Sequence, residues 1–177
     1  MASDILTNGH FFSPSKGNLT LTEVIKEIFG YMQESPEHKY EVIVGCDSPS
    51  SDKPFFPIAI VVLRIGFGGR FFLKKMNYDD NFLKRFVNWK NRILQEVYLS
   101  CELALSLREE LEKENTLRQA QGKRLKYIFE YIHADVGEVG KTKEMVKEVI
   151  GLIKSNGFEP RIKPQSFAAS NIADRYT

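Results

Sequence analysis

The sequence has few of the residues that build disulfide frameworks, zinc sites or membrane spans. Two cysteines and three histidines occur in 177 residues, and they do not fall at zinc-site spacing. No apolar run is long enough to cross a bilayer, and no signal peptide is recognisable. These absences exclude a disulfide-stapled domain, a structural zinc domain and a helical membrane protein. They predict a cytoplasmic protein.

The chain also has little excess of positive over negative charge, because its formal net charge is only +2. A balance this small does not by itself mark a nucleic-acid-binding protein. The hydrophobic content of 42% and charged content of 27% are typical of a globular chain, and the length suits one domain with a full core. We therefore predict a single domain over 1–177, with an N-terminal arm and helix in 1–39 and the core in 40–177.

The chain is best understood from the stretch YEVIVGCDS, which starts at Tyr40. Its β-branched residues and its apolar character predict a buried strand that runs directly into Asp47. A carboxylate at the end of a buried strand is costly unless a metal ion, a helix N-terminus or a basic side chain meets it. The alternative is that Asp47 only caps the turn at Ser48.

The hydrophobic periodicity of the rest of the chain predicts four more strands and four helices. The order is one helix followed by β-β-β-α-β-α-β-α, which predicts an α/β fold. The expected sheet is mixed and five-stranded, with helices on both faces and an extra N-terminal helix. The further strands are expected over 56–65, 70–76, 127–134 and 158–163, the helices over 20–32, 79–114, 141–155 and 167–176, and an irregular arm over 1–19.

Two of the predicted strands end in an acid, Asp47 and Asp135, and Asp174 in the last helix can join them. Ligands of such sheets bind beyond the carboxyl ends of the parallel strands. Crowded carboxylates need a cation, and hard oxygen ligands select magnesium or manganese. Two such ions can clamp the attacking and leaving oxygens of a phosphoryl transfer. This pattern indicates metal-dependent phosphodiester chemistry.

The chain also resembles a known family. The segments FFSPSKG, VIVGCDS, EVYLSCELA, HADVGEVGKTK, GFEPRIKPQSFAAS and NIADRYT, which span Phe11 to Thr177, resemble the YkuK-like family of bacterial proteins. That family is assigned to the ribonuclease H-like superfamily, whose element order and acid positions this chain resembles. The resemblance implies a nuclease acting on RNA or DNA with Mg²⁺ or Mn²⁺. It makes Asp47, Asp135 and Asp174 the first-strand, fourth-strand and last-helix acids.

The acid on the long helix has two candidates, Glu96 and Glu102. At about 100° per residue, Glu96 lies at the edge of the apolar stripe and Glu102 on nearly the opposite face. Glu96 is therefore the prediction. Superfamily members place this acid near the helix start, so either the helix begins nearer Asn88, or Asp79 or Asp80 is the ligand. The predicted catalytic and metal-binding set is Asp47, Glu96, Asp135 and Asp174.

A competing motif lies in HADVGEVGKTK, which nearly matches a phosphate-binding P-loop. Gly140, Lys141 and Thr142 follow a strand and open a helix, as that motif requires. Asp135, however, occupies the position of the first glycine, where its carboxylate would face the phosphates. The backbone N–H groups of the helix start could still hold a substrate phosphate. Candidate phosphate or substrate contacts are Ser48, Gly140, Lys141, Thr142 and Lys163.

Two function classes therefore stay open besides the P-loop-like nucleotide binder. One is the nuclease, and the other is a non-catalytic nucleic-acid-binding or regulatory protein on the same fold, since a fold does not fix a function. His133 could act as a base beside Asp135, but it is interpreted as a hydrogen-bonded strand residue. Trp89 and Phe86 could stack on bases, but their helical spacing favours packing.

Overall fold

A computed structural model describes residues 6–168 and residue 171 of the chain. It contains seven strands, four α-helices and two short 3₁₀ helices within those residues. The strands are β1 (Phe11–Ser13), β2 (Gly17–Leu19), β3 (Tyr40–Cys46), β4 (Phe56–Arg64), β5 (Gly68–Met76), β6 (Ile128–Ala134) and β7 (Glu159–Arg161). The α-helices are α1 (Leu21–Gln33), α2 (Asp80–Leu83), α3 (Trp89–Ala120) and α4 (Val146–Ser155), and the 3₁₀ helices are Lys84–Val87 and Lys141–Met145.

The strands form one mixed sheet in the order β2-β1-β5-β4-β3-β6-β7. The α/β class is confirmed, but the five-stranded sheet is wrong. The irregular arm predicted over 1–19 contains the hairpin β1–β2, which extends the sheet beyond β5. Each of these strands has three residues, too few for an alternating pattern to show. Pairing with the edge of β5 stabilises them instead, and Lys74 on β5 donates to the backbone of Leu6 and Asn8.

Strand β3 lies inside the sheet and sets the position of the site. It pairs antiparallel with β4 and parallel with β6, which in turn pairs parallel with β7. The parallel register places Cys46 beside Ala134. Asp47 and Asp135 follow these two residues, so both acids leave the sheet at the same edge. The two strands that run into these acids are therefore adjacent and parallel.

The helices pack on one face of this sheet. Alternate residues of β3, such as Val42 and Val44, share a buried apolar cluster with α1, α3 and α4. The opposite face carries Ile43, which packs with Val61 and Ala168. The last helix, expected over 167–176, begins at this second face, but most of it lies outside the described residues. The prediction that helices cover both faces of the sheet therefore depends on residues outside the described part of the chain.

The helix expected over 79–114 is interrupted. After α2 and a 3₁₀ turn, Asn88 adopts an extended conformation and its side chain accepts from the N–H of Lys90 at 3.0 Å. This side-chain cap starts a new helix, α3, at Trp89, because asparagine stabilises the first turn better than it continues a helix. The helix then runs on to Ala120 rather than ending at Glu114. None of the helices in the described ranges is both long and apolar enough to cross a membrane.

Candidate active site

A cavity of about 210 Å³ lies at the carboxyl ends of β3 and β6, beside the start of α3. Three acids from three elements line it, Asp47 after β3, Glu96 on α3 and Asp135 after β6. The parallel pairing of β3 and β6 brings the first and third together, and the packing of α3 on the sheet brings Glu96. The structure thus places three of the four predicted acids at one pocket.

Glu96 is a buried carboxyl of the pocket whose pKa is strongly raised. Its residue is only 6% exposed, and its Oε1 accepts from the N–H of Ser48 at 3.0 Å and from the Ser48 hydroxyl at 2.5 Å. Burial, followed by the negative charge of Asp47, raises the pKa of Glu96 to about 8, although the Ser48 hydrogen bonds and Arg92 act in the other direction. Without a cation, Glu96 therefore holds a proton at neutral pH.

The structure separates Glu96 from the other candidates for the helical acid. Glu102 does not line the cavity and instead raises the pKa of Tyr78 and of Cys101 as a secondary influence behind burial. Asp79 caps α2 by accepting from the N–H of Phe82 at 2.9 Å. Asp80 forms an exposed ion pair with Lys53. Because α3 begins at Trp89, Glu96 lies about two turns from its start.

Asp135 is already paired with a cation of the chain. Its Oδ2 lies 2.8 Å from Nζ of Lys163. Its Oδ1 is buried and has no hydrogen-bond partner among the described residues. Lys163 lies shortly after β7, and its backbone N–H donates to the carbonyl of Val136 at 2.8 Å. Lys163 was predicted as a substrate contact, and in the structure it contacts an acid of the site.

The acids do not form a ready-made metal cage. Within residues 6–168 and at residue 171, no three Asp, Glu, His or Cys side chains come close enough to hold a metal ion together. Asp174, the predicted fourth ligand, lies outside the described residues. The donor set nevertheless fits a hard divalent cation, because it consists of carboxylate oxygens and includes Oδ1 of Asp135, which is buried and has no hydrogen-bond partner within the described part of the chain. The metal ligands therefore remain a prediction.

The loop that resembles a P-loop closes on itself. The N–H of Gly137 donates to the hydroxyl of Thr142 at 3.1 Å, and Gly140 has a positive φ of 89°. The helix opens as a 3₁₀ turn, and Nζ of Lys141 lies 4.9 Å from the ring centroid of Trp89. In a P-loop the threonine hydroxyl serves the bound magnesium and the lysine reaches the phosphates. These contacts favour a structural role for Thr142.

His133 does not face the acids. It is 1% exposed, its ring packs on Phe167, and its Nδ1 accepts from the N–H of Ala168 at 3.1 Å. Burial and, to a lesser degree, Arg161 lower its pKa to about 3. The proton of this neutral ring is therefore on Nε2. The geometry supports a hydrogen-bonded strand residue rather than a general base.

Two pocket residues were missed or undervalued in the sequence. Trp89 packs against the core, as interpreted, but it also lines the cavity, and the ammonium groups of Lys90 and Lys141 both lie near its ring. Arg92 lines the cavity as well, and its guanidinium donates to the hydroxyl of Ser50 at 2.9 Å. The missed signal is its position four residues before Glu96, since residues at that spacing share a helix face.

The family model described as ribonuclease H-like matches residues 23–177. The chain therefore belongs to the ribonuclease H-like family, in agreement with its mixed α/β sheet. It is 28% identical over 170 residues to the uncharacterized protein YkuK of Bacillus subtilis (strain 168), a match that covers 94% of this chain and 96% of the relative. The resemblance noted in the sequence is thus confirmed. No solved structure matches the chain.

Proposed function

We propose that this protein is a metal-dependent nuclease that hydrolyses phosphodiester bonds in RNA or DNA. The observation that carries the proposal is the meeting of Asp47, Glu96 and Asp135 at one cavity, at the edge where β3 and β6 end. Acids on a first strand, a following helix and a later parallel strand are also what the family resemblance implies for its catalytic set. The relative is uncharacterized, so the activity rests on the site.

Each acid has a role in this proposal. Asp47, Glu96, Asp135 and, beyond the described residues, Asp174 would hold Mg²⁺ or Mn²⁺. A bound ion of this kind lowers the pKa of water and offsets charge on a phosphoryl group. Ser48 fixes Oε1 of Glu96 with its two hydrogen bonds. Because Glu96 holds a proton near neutral pH, we expect metal binding to release that proton.

The same cavity carries groups suited to a nucleic-acid strand. Arg92 and Lys141 line it together with the ring of Trp89. Cationic side chains bind backbone phosphates, and aromatic rings stack on bases without strong sequence preference. These residues therefore support nucleic acid as the partner. Cleavage of RNA, DNA and hybrid substrates distinguishes among these partners.

A non-catalytic nucleic-acid-binding protein is the second candidate. The observation in its favour is that no three potential ligands converge within the described part of the chain. Such a protein would use the cationic and aromatic residues of the cavity and would keep the acids without turnover. It predicts binding of nucleic acid that does not depend on manganese.

A cleavage assay tests the nuclease directly. Labelled single-stranded RNA, single-stranded DNA, duplex DNA and an RNA–DNA hybrid are incubated with manganese and wild-type protein, Asp47→Asn or Asp52→Asn. Asp52 is an exposed acid in the loop after β3 and is the matched control. We expect wild type and Asp52→Asn to cleave at least one substrate, and Asp47→Asn to lose at least about 10²-fold in rate. Binding by wild type with no cleavage would instead favour the second candidate.

A further inference from the structure

The Asp135 side of the cavity already contains a positive charge supplied by the chain. Nζ of Lys163 lies 2.8 Å from Oδ2 of Asp135. The Lys163 side chain is 48% exposed and that of Asp135 is 18% exposed, so the ammonium group reaches solvent while the carboxylate is mostly covered. In a two-ion site, Asp135 would contact divalent cations rather than the ammonium group that it contacts here.

The position of Lys163 is built into the fold. The strand before it, β7, pairs with β6, and the N–H of Lys163 donates to the carbonyl of Val136, the residue after Asp135. Gly137 allows this approach, because a Cβ on Gly137 would lie only 3.2 Å from Cβ of Lys163. Backbone and side chain thus hold Lys163 against the turn that presents Asp135. This distinguishes the pair from an isolated surface salt bridge, which fixes little.

The two oxygens of Asp135 have different surroundings. Oδ2 is engaged by Lys163, whereas Oδ1 is buried without a hydrogen-bond partner among the residues that the structure describes. One oxygen therefore remains for a metal ion. Asp47 and Glu96 line the same cavity, so a cation bound there would reduce the repulsion among the three carboxyl groups.

We propose that the Lys163 ammonium takes the place of one of the two divalent ions, so that the site works with a single Mg²⁺ or Mn²⁺. Carboxylates that line the cavity, Oδ1 of Asp135 among them, would bind that ion. Lys163 positions Asp135 through Oδ2 and adds a fixed positive charge beside the phosphate. Such a preorganised charge favours a transition state that gains negative charge. The inference rests on the proposed function and specifies its metal requirement.

Counting bound manganese tests the inference without an activity readout. Titration calorimetry of the full chain with manganese chloride is expected to show one ion per wild-type chain. Lys163→Met should bind two, because loss of the ammonium leaves both Asp135 oxygens to cations. Lys163→Arg, which keeps the charge, should bind one. Lys113→Met is the matched control, since Lys113 pairs with two carboxylates on α3 away from the cavity.

A second signature is kinetic. If the protein cleaves nucleic acid, wild-type rates should rise with manganese along a simple saturation curve. Lys163→Met should lose activity at low manganese and recover part of it at high manganese along a sigmoidal curve. Lys163→Arg should retain the wild-type shape, and Lys113→Met should match wild type throughout. A merely structural role for Lys163 would change the rate without changing the shape of the curve.

The outcomes separate this inference from the proposed function. Two ions or none in wild type, or one ion in a folded Lys163→Met, overturns the inference. One ion in wild type and two in Lys163→Met, with no cleavage of any substrate, supports the inference and contradicts the nuclease. Two ions in wild type together with cleavage contradicts the inference and supports the nuclease. If Lys163→Met does not fold, the wild-type count decides alone.

Discussion

The two sides of the cavity stabilise their carboxyl groups in different ways. On one side Asp135 has an ammonium group 2.8 Å away, supplied by Lys163. On the other side Glu96 is buried near Asp47, and its pKa rises to about 8, so a proton neutralises it. Neutralisation by a proton is less durable than neutralisation by an ammonium group, because the proton leaves as the pH rises or when a metal cation competes for the oxygen. We therefore expect an incoming metal ion to displace the proton of Glu96 more readily than the ammonium group beside Asp135.

The largest effect is expected from the proton on Glu96. Its pKa rises from an ordinary 4.5 to about 8 on folding. The folded protein therefore holds this proton between those values while the unfolded chain releases it. The contribution to the free energy of unfolding is complete below pH 4.5, falls as the pH rises, and is lost above pH 8.

This predicts a pH dependence of a few kcal/mol in chelator. Urea unfolding of wild type at pH 5, 7 and 9 should show falling stability relative to Glu96→Gln, whose side chain has no proton to lose. Glu102→Gln, on the same helix but outside the cavity, should follow wild type. Parallel curves for wild type and Glu96→Gln would show that Glu96 is not the proton-bearing group, and would remove one half of the comparison.

Manganese should replace that proton and stabilise the fold. An ion that binds only the folded state adds about 2.7 kcal/mol at a free concentration of about 100 times its Kd. We expect this stabilisation in wild type and in Asp52→Asn, and its loss in Asp47→Asn. In chelator above about pH 8, where Glu96 is ionised, Asp47→Asn should melt no lower than wild type, because the substitution removes a charge that repels Glu96.

Thermal scans with manganese and with chelator give both results. Strong destabilisation of Asp47→Asn in chelator would contradict the electrostatic view. It would assign Asp47 to capping the turn after β3, the alternative that the sequence left open. Another acid of the cavity would then be the expected metal ligand.

Local patterns predicted the part of the fold that positions the acids. Strand β3 is a seven-residue, mostly apolar segment with three β-branched residues, and an acid follows it; α1 is preceded by a capping box formed by Thr20 and Glu23. Such signals need no knowledge of distant residues. The hairpin β1–β2 was missed because its strands are stabilised by the edge of β5 rather than by their own pattern.

The site shows the same division between local and distant information. Helical geometry singled out Glu96, since its direction from α3 depends only on spacing along one element. The partner of Asp135 was not predicted, because the contact with Lys163 follows from the pairing of β6 with β7 and from the close approach at Gly137. A lysine after the last strand carries no sequence signal that it will meet an acid.

The smallest effect is expected from Lys141. This lysine belongs to neither side of the comparison, because the proposal pairs it with neither Asp135 nor Glu96. Its ammonium lies over the ring of Trp89, 4.9 Å from the centroid, at the cavity. In a nuclease it would contact one backbone phosphate. In a P-loop it would contact the phosphates of a nucleoside triphosphate.

We expect Lys141→Ala to weaken nucleic-acid binding severalfold at low salt and to reduce the salt slope by about 1, because one phosphate contact is lost. Manganese binding should be unchanged, and neither protein should bind ATP or GTP with magnesium. Lys113→Ala removes an exposed lysine on α3, away from the cavity, and controls for the change in net charge. Fluorescence anisotropy across a salt series and calorimetry with the triphosphates measure these effects. Micromolar triphosphate binding that disappears in Lys141→Ala would favour the nucleotide binder, because the closed contact between Gly137 and Thr142 would then have to open around a phosphate.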